Sequence, residues 1–187
     1  MSAETTNNTE EECCPPFDPS KYQDGTKPYK LIHWKNKPFV TDGTRCLFYI
    51  PLAFDKAVAR ALEKIEKSDA SVPNEEFMIL SECSSLWWSD VLVSTSKEQV
   101  EGAVVRNISG LFLAKAFEGS YSKMGEWVKE CEELAIEVRG KMAEEKQISL
   151  AGQTDQNVLF YYPTCPKCAK KYGKNYVVVF TKISDDE

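Results

Sequence analysis

Hydrophobic and polar positions along this chain fall into one pattern that is used twice. The first pass opens with the apolar run 45–50, which reads as a strand, and a helix follows from about Asp55. In that helix Val58, Ala61, Leu62 and Ile65 recur at i, i+3, i+4 and i+7, the spacing of one buried stripe. Ser68 to Asn74, with Pro73, breaks the pattern, and residues 77–80 and 91–93 read as two further strands. The second pass is a strand at 111–117, a longer helix from about Tyr121 to near Lys146, and strands at 158–162 and 176–180. Met124, Trp127, Val128, Cys131, Leu134, Ala135, Val138 and Met142 share one face of the longer helix, opposite Lys129, Glu130, Glu133, Glu137 and Lys141.

Strand, helix, strand, strand, repeated, predicts an α+β fold. Neither copy can bury both faces of its sheet alone, so the two should pair into one antiparallel sheet. Both helices are expected on one face, with a ligand cleft on the other. The domain is predicted at 30–182, with repeat 1 at about 44–95 and repeat 2 at about 109–182. An acidic, proline-containing arm (1–29), disordered or loosely docked, precedes it, and an acidic tail (183–187) follows. Leu31 to Trp34 and Phe39-Val40 read as an extra strand or an extended flap.

Charge alters the picture little. The arm and the tail together carry slightly more than the whole net charge of −6 over 187 residues, which leaves the body near neutral. That gives no basic field for nucleic acid. No apolar run is long enough to span a bilayer, and residues 1–12 are polar and acidic, unlike a secretory signal. With seven cysteines, the expectation is a cytoplasmic protein, monomeric or weakly dimeric, whose thiols stay reduced or bind metal. Cys46 and Cys131 fall on apolar faces and read as inert core.

The sharpest candidate for chemistry is the turn Phe117-Glu118-Gly119-Ser120-Tyr121. A carboxylate at a strand end before a glycine turn points toward a cleft mouth, with Tyr121 and Trp127 as an aromatic wall. Helix capping by Glu118 is an equal alternative, because acids favour helix N-termini. A second cluster links two strands of the first repeat and carries Glu82, Trp87, Trp88 and Asp90. Side chains of adjacent tryptophans diverge, so at least one should line a ligand surface. Glu82 or Asp90 is a candidate partner for Glu118 in acid–base work, against the plain reading of a polar hairpin loop. In the third cluster, alternation places Phe160 and Tyr162 on one face and Tyr161 on the other. Together these aromatics suit a flat, apolar or aromatic small molecule. His33 is the single histidine, and neither a Gly-rich phosphate loop nor a histidine-based metal motif is present, so no cofactor is expected. Cys165-Pro166-Lys167-Cys168 has too little chain after it for a thioredoxin-type fold. It reads either as two reduced thiols in a hairpin loop outside the pocket, with no catalytic role, or as half of a structural zinc site completed by Cys13 and Cys14.

The turn 117–121 resembles the strand-to-helix turn of the GyrI-like small-molecule-binding family. More narrowly, Cys13 to Pro19, Trp87-Trp88-Ser89-Asp90 and Thr164 to Tyr176 are similar to stand-alone members described as cyclopropanoid hydrolases. The resemblance covers about residues 13–182 and implies a pair of strand-helix-strand-strand modules around a ligand cleft. It further implies addition of water to the cyclopropane of DNA-alkylating natural products, a detoxification. Drug-binding members often carry a pocket glutamate where this chain has Leu159-Phe160-Tyr161-Tyr162, which leaves Glu118 as the better carboxylate. The other reading is a non-catalytic module that sequesters or senses a small molecule. Either way, the pocket set is Glu118, Tyr121, Trp87, Trp88, Trp127, Phe160, Tyr161, Tyr162 and Glu82.

Overall fold

The computed structural model describes residues 14, 16–47, 50–82, 87–146 and 158–185. Strand β1 (Lys30–Leu47) leads into a short β2 (Ile50–Pro51) and helix α1 (Phe54–Lys67). Strands β3 (Ile79–Glu82) and β4 (Trp88–Ser94) complete the first half. In the second half, β5 (Val104–Glu118) is followed by a single 3-10 turn and helix α2 (Met124–Lys146). Then come β6 (Val158–Tyr161), a short α3 (Pro166–Tyr172) and β7 (Tyr176–Ser184).

Every strand pairing is antiparallel. The sheet order is β2-β1-β4-β3-β6-β7-β5, and β5 returns to pair with β1, so six strands close on themselves. Residues 48 and 49 lie outside the described residues and Ile50 opens β2, while the stretch expected as an extra strand or an extended flap and the start of the strand expected at 45–50 are one element, β1. A bulge between Trp34 and Lys37, with Asn36 at φ 45, interrupts its alternation and lets it bend. Its early part therefore pairs with β5 and its later part with β4.

Closure corrects the expectation of an open cleft on the face away from the helices. Inward positions carry Phe39, Leu80, Leu92, Phe112, Leu159 and Phe180, all fully buried, with Trp34, Ile108 and Val178 among them. That face is a filled barrel interior. Both helices lie on the outer face, as expected from the pattern. Under α1, Ala57, Ala61 and Ile65 pack on Val40, Val91 and Val93. The stripe is turned one position from the sequence reading: Leu62 is 38% exposed, whereas Ala57 is completely buried. Two alanines let α1 lie close to the sheet, and Arg60 grips Asp42 of β1 through two contacts of 2.9 Å. Under α2, Met124, Trp127, Val128, Cys131, Ala135 and Val138 cover Leu113, Phe117, Phe160, Val177 and Val179, which matches the predicted stripe.

Two smaller corrections concern the last third. Cys165 and Cys168 are not in a plain loop: Pro166 fits the first turn of α3, and Gly173, at φ 68, ends it in the left-handed conformation that glycine favours. Strand β7 runs past Phe180 to Ser184, with Ile183 packed beneath α2. At the other terminus, Phe17 and Tyr22 pack at one barrel mouth, Phe17 on Tyr176 and Tyr22 edge-on to Phe180. No described helix is long and apolar enough to cross a membrane.

Candidate functional site

The last residue of β5 is Glu118, and its neighbour across the strands is Tyr176. Phe117 points outward under α2, so alternation aims Glu118 at the rim of the barrel. There the Tyr176 hydroxyl donates to the carboxylate at 2.7 Å, and the Lys174 ammonium stands 3.5 Å from the same oxygen. These partners, the tyrosine first, hold Glu118 below the usual glutamate range. Gly119, at φ 145, then turns the chain, locked by reciprocal bonds with Asn175 at 3.0 and 2.8 Å. The cap of the following 3-10 turn is Ser120, whose hydroxyl accepts from the Ser122 amide. Glu118 is therefore not the cap, and its charge serves the rim.

Tyr121 emerges from that turn on the outer side. Its ring meets Tyr162 edge-on at 5.9 Å, and Tyr162 meets Phe54, the first residue of α1, at 5.3 Å. Tyr162 also places its hydroxyl 3.3 Å from that of Ser81, a fully buried serine of β3. The result is an aromatic bridge between the starts of the two long helices, made from both halves of the chain. Burial raises the Tyr121 phenol above its ordinary value, which keeps it a proton donor at neutral pH.

The remaining predicted residues separate. Trp127 is no cleft wall: it is 6% exposed and stacks on Phe117 at 5.3 Å. Phe160 is likewise core. Tyr161 faces inward near Tyr22, with its phenol pushed up by burial and then by the Cys14 sulfur. Glu82 is turned inward and ion-paired with Arg106 at 2.6 Å, away from Glu118 as a working pair. Trp88 lies against Gly43 of the facing strand and donates its indole N–H to Asp90 at 3.1 Å. Trp87 is 70% exposed and Trp88 47%, so both are presented to solvent, Trp87 the more fully. Cys131 is core, and burial pushes its thiol up to about 12. Cys13, the loop 83–86 and the polar segment 147–157 lie outside the described residues, as does the side chain of Cys46. Phe54, Lys174 and Tyr176 were missed as site residues from sequence, and Ser81, expected in the link that carries Glu82, is a buried residue of β3.

A family model described as bacterial hydrolase matches residues 4–183. The chain belongs to that family. No curated protein matches it. A solved structure of an uncharacterized conserved protein from Listeria innocua is similar over 81% of this chain and 90% of its own, at 12% identity and a TM-score of 0.48. In this member of the bacterial hydrolase family, the rim carboxylate and the aromatic bridge are the candidate features among the described residues. One supplies a fixed negative charge that can orient water, and the other an apolar surface edged with phenol donors.

Proposed function

We propose that the protein is a cofactor-independent hydrolase that adds water to the strained cyclopropane ring of DNA-alkylating natural products. The observation that carries this reading is the bridge of Phe54, Tyr162 and Tyr121, an aromatic surface with hydroxyls, whose Tyr121 follows the ionised Glu118 by three residues of chain. An apolar substrate lies against these rings, with Trp87 as an exposed flank. Tyr121 donates to the substrate carbonyl oxygen, and Glu118 orients the attacking water. The water oxygen bonds to a ring carbon as the strained carbon–carbon bond breaks, its electron pair passes to the carbonyl oxygen, and the water's proton finishes there. A carboxylate held below its usual range is a weak proton acceptor but a steady anchor, so Glu118 acts by charge and orientation. One observation favours pure sequestration instead: Tyr176 and Lys174 already satisfy Glu118.

Incubation of a spirocyclopropyl alkylator with the protein separates the two. Mass spectrometry should show the gain of one water with turnover beyond one equivalent. Tyr121→Phe should lower the rate within the roughly 10²–10⁴-fold span of acid–base assistance, and Glu118→Gln should lower it through the lost charge that orients the water. Tight binding without turnover would transfer the site to sequestration. Full activity in both variants would remove these residues from the chemistry.

A further inference from the structure

Outside the aromatic bridge, one cluster has a defined coordination chemistry. The sulfur atoms of Cys14, Cys165 and Cys168 all lie within 4.8 Å of one another. Cys14 comes from the N-terminal arm, and the other two from the start of α3, far away in sequence. Zinc–thiolate bonds are about 2.3 Å, so thiolates on one tetrahedral ion stand roughly 3.8 Å apart. No separation in the cluster exceeds 4.8 Å, so a small inward movement of the side chains reaches that spacing.

Its surroundings fit an anionic metal–thiolate centre. The Cys165 amide donates to the Cys14 sulfur at 3.4 Å, the kind of bond that orients a ligating thiolate. The Tyr172 hydroxyl holds the Cys14 carbonyl at 2.7 Å and so fixes the arm beside α3. Cys168 is 5% exposed, which shields a bound ion from solvent. The hydroxyl of Thr164, one residue before Cys165, is buried with no hydrogen-bond partner among the described residues, a donor available to a ligand sulfur.

We infer that Cys14, Cys165 and Cys168 hold a structural zinc ion that pins the N-terminal arm across the barrel mouth. The ion takes no part in the hydrolysis proposed above, and its test does not read activity. Full-length protein loaded with zinc and passed through gel filtration should carry close to one ion per chain. Cys14→Ser and Cys168→Ser should each lose most of it, whereas Cys131→Ala should keep it. Cobalt should give the thiolate charge-transfer band and strong visible bands of a tetrahedral site in the wild type, a readout independent of any variant's folding. The melting temperature should fall on chelation and recover with zinc. Substoichiometric zinc together with a melting temperature indifferent to chelator and metal would overturn the inference. So would a disulfide between Cys14 and either partner in protein prepared under reductant.

Discussion

Glu118 makes the sign of a pH effect explicit. Its partners lower the folded-state pKa, so whatever they add to stability is present above the ordinary glutamate range and is lost as pH falls through the lowered value. The side chain is half exposed, which keeps that effect small and makes rate the better readout. Plotted against pH, kcat/KM should stay flat from neutral into mildly acid conditions and drop only below the usual glutamate range. A break near neutrality would assign the chemistry to another group. Among the tryptophans, burial separates two kinds of loss. Trp127→Ala should cost about 3–5 kcal/mol in denaturant unfolding, because it empties a packed site under α2. Trp87→Ala should stay within about 0.5 kcal/mol of wild type and weaken ligand binding instead. Neither role was legible in the residue type. Trp88 shows the reason: it covers Gly43, and that glycine becomes its neighbour only through the β1–β4 register.

Helices were the most legible elements, since a helix writes its buried face into its own sequence. The eight-residue stripe of α2 was recovered almost whole. The stripe of α1 was recovered one position out because alanine carries little hydrophobic signal, and here two alanines, Ala57 and Ala61, are completely buried against the sheet. This yields a contrast to measure by equilibrium unfolding. Ala61→Leu should destabilise by about 1–3 kcal/mol through overpacking against β1 and β4, whereas Leu62→Ser should change stability by no more than about 0.5 kcal/mol. Strand β1 was read in pieces because the bulge at Trp34–Lys37 breaks period-two alternation, and Pro38 reads locally as a breaker. For α3 the signals were in plain view, a proline at its first turn and a glycine just past its end, but seven residues are too short to show a periodic face.

What no local pattern carries is closure. Alternation states that a strand has an inner and an outer face, but not that β5 will return to β1 and seal the inner one. The sequence reading therefore placed an open cleft where six fully buried large side chains stand, and it scattered the rim residues among unrelated motifs. Glu118 acquires its partners only through the β5–β7 register. In the arm expected to be disordered or loosely docked, the described residues bring two rings to the barrel mouth, Phe17 and Tyr22, and burial raises the Tyr22 phenol. Tyr22→Ala should lower stability by about 1–3 kcal/mol and increase the binding of a hydrophobic dye, as the edge of Phe180 is uncovered.

The double pairing of β1 also governs the order in which the molecule is assembled. Lys30 waits for Ala114, and Leu80 for Tyr161, so the first half emerges from synthesis with both outer strands lacking neighbours. Such edges invite pairing with any other extended chain until the second half arrives. Long-range pairing of this kind also slows folding, because loop-closure entropy is lost before the contacts that offset it form. A fragment ending before β5 should consequently self-associate rather than fold, and mixing it with the complementary fragment should restore the barrel only if the two meet before either aggregates.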